Sequence, residues 1–418
     1  MKKLGTVMVL LISMMLVFAC NGDTTTPTEP PLPTDTPIEP PTSTEGPPPE
    51  PSPTYTLPPP TFTPTMEPSV TPTTPTGTAV IIRFIQMIDG AMGWGIGSIP
   101  GDNNHVLLTM DGGSVWNDVT PPEPGLASKH AVGYFFDYYT GLVTYFPTTE
   151  AMSHNFYTWK TTNGGSSWTQ STTQTLDISS SESIPPYIDF VSANTGWILL
   201  RHSAAGMHSY PAYLMKTTNG GASWTNLTSI HSCNKTGMDF VDVSTGWLTY
   251  NNCPVLGARV SITTDGGSTW NNILLPEPTG VTGLFTSASC YSHSPNLLSS
   301  TTGAVILSCM IGGDPTNTAD YLYVTNNGGA SWITVEYPGG PLYALDTATM
   351  YAMGREQHRS TDGGVNWTPT SIVAWDGQFS FVTPLYIWGA AEASGSYALV
   401  KSINGTSSWA MLSPVVVP

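Results

Sequence analysis

Residues 216–224 read KTTNGGASW, and a closely similar string occurs six more times along the chain. The other copies are LTMDGGSVW (108–116), KTTNGGSSW (160–168), ITTDGGSTW (262–270), VTNNGGASW (324–332), RSTDGGVNW (359–367) and the divergent KSINGTSSW (401–409). Repetition of one short string along the whole chain indicates a repeat architecture, in which each copy belongs to one supersecondary unit.

The composition of the string is typical of a hairpin turn. A side chain such as Asn219 or Asp265 can accept a hydrogen bond from the backbone two residues further on, and paired glycines supply positive φ. Residues that favour strands flank the turn, and the final Trp is large enough to fix it against its neighbours. We therefore predict a structural role for Asp111 and Trp116, Asn163 and Trp168, Asn219 and Trp224, Asp265 and Trp270, Asn327 and Trp332, Asp362 and Trp367, and Asn404 and Trp409.

A second motif precedes most copies of the string. It consists of two apolar runs around a polar turn, often ending in Thr-Gly-Trp, as in YIDFVSANTGWILL (187–200) and MDFVDVSTGWLTY (238–250). Two successive hairpins give four strands per unit, and the mean spacing of about 49 residues between copies suits one propeller blade. The sequence therefore predicts an all-β fold, a seven-bladed β-propeller of four-stranded antiparallel blades, over residues 78–418.

The repeated string, S/T-x-D/N-G-G-x-S/T-W, resembles the Asp-box or BNR repeat of sialidases, sortilin-like receptors and some xyloglucanases. Together with the upstream hairpin, it is most similar to the propeller family of the photosystem II assembly and stability factor. The resemblance implies the fold rather than a function, because one fold carries many functions. Gly405 and Thr406 replace the paired glycines in the last copy, and units 2, 5 and 6 lack the Trp after the hairpin turn, so these blades are expected to be less regular.

The amino terminus is typical of an export signal. A basic start and an apolar run over residues 4–18 precede Cys20, and the string LVFAC resembles a bacterial lipobox. We expect residues 1–19 to be removed and Cys20 to be lipidated, so that the protein is exported and anchored to the outer surface of the bacterial cell membrane. The alternative is an uncleaved anchor helix, which would leave the protein on the same side of the membrane.

Residues 20–77 are rich in Pro and Thr and contain seven acidic residues but no basic one. Such a segment buries too little apolar surface to fold, and we predict a disordered, extended linker. The formal net charge of the whole chain is −17. A nucleic-acid partner is not expected, because phosphates require basic patches.

Four cysteines follow Cys20, and an even number in an exported chain favours disulfides. Cys233 and Cys253 flank the first hairpin of unit 4 at nearly the same offsets as Cys290 and Cys309 in unit 5. Because paired strands bring such residues within disulfide range, we predict the pairs Cys233–Cys253 and Cys290–Cys309. The alternative is four buried free thiols.

Ligand binding is expected on the propeller face opposite the repeated turns, where the longer and more variable loops lie. The candidate ligand-contacting residues are Arg201, Arg355, Glu123, Glu150, Asp314 and Asp376. Their mixture with aromatic residues suits a carbohydrate or a protein partner.

No catalytic, metal or cofactor site is predicted. A sialidase requires three clustered arginines, and the arginines here are scattered. A glycosidase requires two carboxylates across a cleft, for which Asp177, Glu182, Asp320 and Glu392 are further candidates that the sequence cannot pair. We expect a monomeric, membrane-tethered, non-enzymatic binding or assembly platform; the alternative is an extracellular glycoside hydrolase of the Asp-box group.

Overall fold

The computed structural model describes residues 77–100, 102–147, 155–176, 182–203, 209–232, 234–251, 258–314 and 316–417. They form a nearly all-β, seven-bladed propeller of four-stranded antiparallel sheets, which confirms the predicted fold class. The first strand of each blade is the inner one, since first strands of successive blades contact one another, as the strands Ile81–Met87 of blade 1 and Asp376–Phe381 of blade 7 do across the ring closure. No helix in the described ranges is long and apolar enough to cross a membrane.

Blades 1 to 3 contain these strands, from inner to outer: β2 (Ile81–Met87), β3 (Gly93–Ile99), β4 (Asp102–Thr109) and β5 (Val115–Asp118); β6 (Lys129–Phe135), β7 (Gly141–Pro147), β9 (Trp159–Thr161) and β10 (Thr169–Gln170); β12 (Glu182–Phe190), β13 (Gly196–Ser203), β14 (Ser209–Thr217) and β15 (Thr225–Ser232). The short strands β8 (Asn155–Phe156) and β11 (Gln174–Thr175) pair with each other beside blade 2. A 3₁₀ turn, Leu126–Ser128, precedes β6.

Blades 4 to 7 contain β16 (Asn234–Phe240), β17 (Gly246–Asn251), β18 (Arg259–Thr263) and β19 (Asn271–Leu274); β20 (Ala288–Ser292) with β21 (Asn296–Leu297), β22 (Gly303–Ile311), β23 (Thr318–Thr325) and β24 (Ile333–Glu336); β25 (Leu342–Ala344), β26 (Met350–Met353), β27 (Glu356–Ser360) and β28 (Thr368–Ile372); β29 (Asp376–Phe381), β30 (Ile387–Ala393), β31 (Ser396–Ser402) and β32 (Ala410–Leu412). One short helix, α1 (Leu284–Ser287), precedes β20.

The ring is closed by the carboxyl-terminal strand β33 (Val415–Val417), which adds to the outer edge of blade 1. It pairs in parallel with β5, with Val415 opposite Val115, and antiparallel with β1 (Thr78–Ala79). The outer edge of blade 1 is therefore covered by both ends of the described chain. This covering leaves only the two-residue strand β1 at the outer edge of the sheet.

Each repeated string forms a turn between the third and fourth strands of its blade; we call these seven segments the box turns (109–116, 161–168, 217–224, 263–270, 325–332, 360–367 and 402–409). In the third, the Thr217 hydroxyl accepts from the Gly221 amide at 2.9 Å and donates to Asn219 Oδ1. Asn219 Oδ1 also accepts from the Ser223 amide at 3.0 Å. The predicted bond to the backbone two residues on is thus wrong, because the Asn side chain spans the whole turn and reaches the amide four residues on.

The second-strand aromatic of several blades fixes that blade to the next one. The indole of Trp94 donates to the Asp137 carbonyl at 2.8 Å, and that of Trp197 donates to the Gly266 carbonyl at 2.9 Å. In blade 6 the hydroxyl of Tyr351 replaces the indole and donates to the Pro384 carbonyl at 2.7 Å. Blade 6 has four uninterrupted strands, so the expectation that it would be less regular is wrong. Blade 5 is less regular, because its inner strand is split into β20 and β21.

Candidate binding pocket on the loop face

Both hairpin turns of a blade lie on one face of the propeller. In blade 3 the Gly220 amide of the box turn donates to the Asn194 carbonyl of the first hairpin at 2.7 Å. Equivalent bonds start at Gly112, Gly164, Gly266, Gly328, Gly363 and Gly405. The connections between second and third strands and between blades therefore lie on the opposite face, which we call the loop face.

A cavity of about 550 Å³ opens on the loop face over blades 3 to 6. It lies at the starts of the inner strands, where the inter-blade connections enter. Its lining residues are Tyr187, Arg201, Thr236, Tyr291, Ser292, His293, Ser294, Asn296, Ile306, Asp320, Gly340, Pro341 and Leu342. We call this cavity the loop-face pocket.

Arg201, on β13, supplies a positive charge to the pocket. Its Nη1 and Nη2 atoms donate to the carbonyls of Lys235 and Pro185 at 2.9 and 2.6 Å, and the guanidinium carbon lies 4.2 Å from the centre of the Tyr187 ring. Burial lowers the pKa of Arg201. Its Nε is buried without an acceptor, and it forms no ion pair with a carboxylate among the described residues.

Tyr291 and His293 form another part of the pocket wall. Tyr291 lies in β20, and His293 directly follows the end of that strand. Their ring centres are 5.3 Å apart. The His293 ring Nε2 shares a hydrogen bond of 2.8 Å with the Ser308 hydroxyl. Burial lowers the pKa of His293, with Asp320 acting in the opposite direction, so the imidazole is neutral at neutral pH.

A disulfide between Cys290 and Cys309 fixes this wall to the rest of blade 5. The two cysteines are directly opposite each other on β20 and β22, with Cα atoms 4.0 Å apart. They immediately adjoin Tyr291 and Ser308. The second predicted disulfide, Cys233–Cys253, lies outside the described residues, as do Glu150 and the predicted lipidation site Cys20.

Glu123 is not available to a ligand, and its prediction as a ligand-contacting residue is wrong. Its side chain is fully buried, where it forms an ion pair with Lys129 and accepts from the Tyr157 hydroxyl at 2.8 Å and the Trp159 indole at 2.6 Å. These three donors come from blade 2 and occupy both carboxylate oxygens. Glu123 therefore anchors the connection between blades 1 and 2.

Three other candidates lie on the loop face without lining the pocket. Arg355 and Asp376 form an exposed ion pair at 2.9 Å, and Asp314 accepts from the Thr316 amide at 2.8 Å within its own turn. The pocket thus includes Arg201 from the predicted set. It also includes Asp320, one of the further carboxylate candidates. Tyr187 and Tyr291 lie in strands of blades 3 and 5, and His293 directly follows β20. The sequence analysis missed these three because it expected ligand contacts in the variable loops.

The chain matches no family model and no curated protein sequence. It is similar to several solved structures, all at low identity. "YCF48 bound to D1 peptide" is 15% identical, with a TM-score of 0.50, over 79% of this chain and 95% of that one. The polysaccharide lyase Uly1 is 12% identical, with a TM-score of 0.51, over 78% of this chain and 90% of that one. A puromycin-hydrolysing peptidase of Mycobacterium tuberculosis is 10% identical, with a TM-score of 0.52, over 81% of this chain and 54% of that one. These likenesses show the fold alone.

Proposed function

We propose that the protein is a membrane-tethered, extracytoplasmic propeller that binds a protein or carbohydrate ligand in the loop-face pocket and does not catalyse a reaction. One observation carries the proposal. Arg201 is half-buried against Tyr187, and its described partners are that side chain and backbone carbonyls rather than a carboxylate. A buried charge is costly unless it is paired, so an anionic group of a ligand would stabilise it.

The rest of the pocket suits a ligand that is apolar beside its charged group. Ile306, Pro341 and Leu342 offer apolar surface, and Tyr187 and Tyr291 offer flat aromatic faces. Hydroxyl and amide groups of Thr236, Ser294 and Asn296 can orient polar atoms of the ligand. Acidic peptide segments and sugar carboxylates both present this combination.

The glycoside hydrolase alternative is less well supported. Glycosidases place two carboxyl groups about 5 to 10 Å apart across the scissile bond. Asp320 is the one carboxylate among the described residues that line the pocket. A single carboxylate beside a neutral histidine suits ligand recognition better than this reaction.

We assign the box turns to the Asp-box type and the propeller to the group that resembles the photosystem II assembly and stability factor. In all seven turns a Thr or Ser hydroxyl bonds both to the Asx side chain two residues on and to the amide four residues on, with Ser360 and Ser402 replacing Thr and Thr406 replacing Gly in the last turn. The fold likeness to YCF48 covers most of both chains. We further propose that an export signal, a lipidated Cys20 and a Pro/Thr-rich linker hold the propeller outside the membrane.

The experiment uses the full-length protein as bait on envelope extracts. We expect Arg201→Gln to lose the captured partner, whereas Arg355→Gln, which removes an exposed arginine from the same face, retains it. Equal capture by both variants would contradict the assignment of the pocket. Turnover of fluorogenic sialosides or of a β-glucan panel that Asp320→Asn abolishes would instead support the enzyme alternative.

The membrane anchor has its own test. Cys20→Ala should abolish metabolic acyl labelling and leave an uncleaved or mislocalised precursor. Persistent labelling in this variant would contradict lipidation at Cys20.

A further inference from the structure

The loop-face pocket contains two side chains of opposite charge that do not pair with each other. Arg201 on β13 and Asp320 on β23 both line the cavity, and no other described residue of its lining is charged at neutral pH. None of the ion pairs among the described residues joins these two or includes either of them. Both charges are therefore available to a ligand.

The Asp320 carboxylate lies beside the pocket wall without a partner of its own. The described residues offer its oxygens no ion pair, whereas its backbone carbonyl accepts from the Tyr337 amide at 2.8 Å. A Cβ added at Gly339 would lie 3.7 Å from Asp320 Oδ2, so the carboxylate lies close to the wall segment 340–342. The backbone of this strand is thus held in place while the carboxylate stays free to accept from a ligand.

His293 lies near Asp320 but does not neutralise it. The ring Nε2 of His293 shares its 2.8 Å hydrogen bond with the Ser308 hydroxyl, and Ser308 is directly opposite Asp320 in the pairing of β22 with β23. Burial lowers the pKa of His293 more than the charge of Asp320 raises it, so the imidazole is neutral. The negative charge of Asp320 therefore persists in the pocket.

Two unpaired opposite charges in one cavity favour a ligand that carries both. A purely anionic ligand would be attracted by Arg201 and repelled by Asp320, and a purely cationic one would meet the reverse. Repulsion by the second charge thus discriminates against both kinds. Acidic polysaccharides carry negative charge alone, whereas a peptide carries an ammonium group as well as a carboxylate.

We propose that the ligand of the loop-face pocket is zwitterionic, a short peptide or peptide-like compound whose carboxylate binds Arg201 and whose ammonium group binds Asp320. Apolar side chains of the ligand contact Ile306 and Leu342 of the lining. Because Arg201 and Asp320 come from blades 3 and 5, the two charged groups of the ligand are separated along its length. This inference rests on the proposed function and narrows it, since it excludes an acidic carbohydrate.

The test measures the binding of short peptides to the full-length protein at neutral pH by isothermal titration calorimetry. The probes are the di-, tri- and tetrapeptides of alternating Leu and Phe, which vary the distance between the two termini. Each is used with free termini, with an acetylated amino terminus and with an amidated carboxyl terminus; trigalacturonate represents the acidic carbohydrates. At the best length, we expect the free peptide to bind at least about tenfold more tightly than either blocked form or trigalacturonate.

Four variants assign the two contacts. In Asp320→Asn, acetylation of the peptide should change the affinity by less than about twofold, because the partner of the ammonium group is gone. In Arg201→Gln, amidation should have equally little effect. Asp376→Asn and Arg355→Gln each remove one member of the exposed ion pair on the same face, and they should keep the wild-type preference for free termini. If a pocket variant does not fold, the free and blocked peptides still decide the question on the wild type.

Three outcomes would overturn the zwitterionic ligand. The first is equal binding of acetylated and free peptides, and the second is tighter binding of trigalacturonate than of any free peptide. The third is no binding by any peptide of the series while capture from envelope extracts still requires Arg201, which would leave the proposed function intact. Capture that does not require Arg201 would contradict the proposed function and this inference together.

Discussion

The indole of Trp388 in blade 7 donates a hydrogen bond of 2.8 Å to the Gly112 carbonyl in blade 1, across a sequence separation of 276 residues. The Trp197 indole of blade 3 makes the same hydrogen bond to the Gly266 carbonyl of blade 4. Blades 7 and 1 are therefore joined by the same kind of bond as two neighbouring blades elsewhere in the propeller. Lys401 lies over the Trp388 ring at 4.3 Å, as Lys216 lies over Trp197 at 4.9 Å. The repeat therefore carries its own blade-to-blade contacts, and β33 pairs with β5 at the outer edge of blade 1.

Trp388→Phe tests the energetic value of this bond. The substitution keeps an aromatic ring but leaves the Gly112 carbonyl without its donor, which costs about 1–3 kcal/mol for a buried group. Trp247→Phe is the control at the equivalent position of blade 4, because the Trp247 indole nitrogen is buried without an acceptor among the described residues. In urea unfolding, we expect Trp388→Phe to lose at least about 1 kcal/mol more than Trp247→Phe. Equal losses would show that the indole bond does not stabilise the ring.

Trp224→Ala tests the structural role of the box-turn tryptophans. Trp224 is buried, contacts Phe156 and Phe190 at centroid distances of 5.9 and 6.1 Å, and donates to the Thr158 hydroxyl of blade 2 at 3.1 Å. Its removal should lower the free energy of unfolding by about 3–5 kcal/mol, while the folded fraction keeps its ligand affinity. A fully stable variant that had lost ligand binding would instead locate the binding site at the box turns. Tyr139→Ala, which truncates an exposed aromatic, should change stability by about 0.5 kcal/mol or less.

Gly221→Ala tests why the second box-turn glycine is required. Its φ is +88°, and an added Cβ would lie 2.3 Å from Leu142 Cδ1 of blade 2. Gly280→Ala is the control, because Gly280 has a φ of +81° and no atom lies within 4 Å of the added Cβ. This variant therefore measures the cost of the backbone conformation alone. Both alanine variants should lose about 1–2 kcal/mol from the left-handed backbone. Gly221→Ala should lose about 1–3 kcal/mol more through overpacking, as measured by denaturant unfolding. A Gly221→Ala variant no less stable than Gly280→Ala would contradict close packing of the turn on blade 2.

The fold was predictable from sequence because the bonds that define a box turn lie within one copy of the string. Thr217, Asn219 and Gly221 contact one another within five residues, so the pattern is visible locally. The contacts between blades were not predictable in the same way, since Trp197 and its acceptor Gly266 are 69 residues apart. The same distance effect explains the error at Glu123, whose donor Trp159 lies 36 residues further on. The loop-face pocket gathers Tyr187, Arg201 and His293 from two blades, and no local pattern links them.

The Cys290–Cys309 disulfide should stabilise both the fold and the pocket wall. The double variant Cys290→Ser with Cys309→Ser opens a loop of 19 residues and should lose about 3 kcal/mol of stability in the chain-entropy model. The double variant should also capture less ligand than Trp224→Ala, because Tyr291 of the pocket wall directly follows Cys290. Non-reducing peptide mapping checks this bond and the predicted Cys233–Cys253 pair together. A crossed pair such as Cys253–Cys290 would contradict the blade phasing.

The surroundings of His105 predict that this residue contributes to the stability of blade 1 in a pH-dependent way. Its ring Nδ1 lies 2.8 Å from Asp118 Oδ2, and its Nε2 lies 3.6 Å from Asp102 Oδ2. The hydrogen bond to Asp118, helped by the charges of both aspartates, raises the pKa of His105 above its ordinary value of 6.5 against the opposing effect of burial.

A histidine with a raised folded-state pKa contributes stability that is fully present below pH 6.5 and is lost as pH rises through the raised value. The stability difference between wild type and His105→Gln should therefore be largest in mild acid and should shrink to a constant at higher pH, as measured by urea unfolding at a series of pH values. His358→Gln serves as the control, since the His358 ring contacts the Glu356 carbonyl rather than a carboxylate in the described part of blade 6. If the two variants gave parallel pH profiles, the carboxylates around His105 would not be the source of the effect.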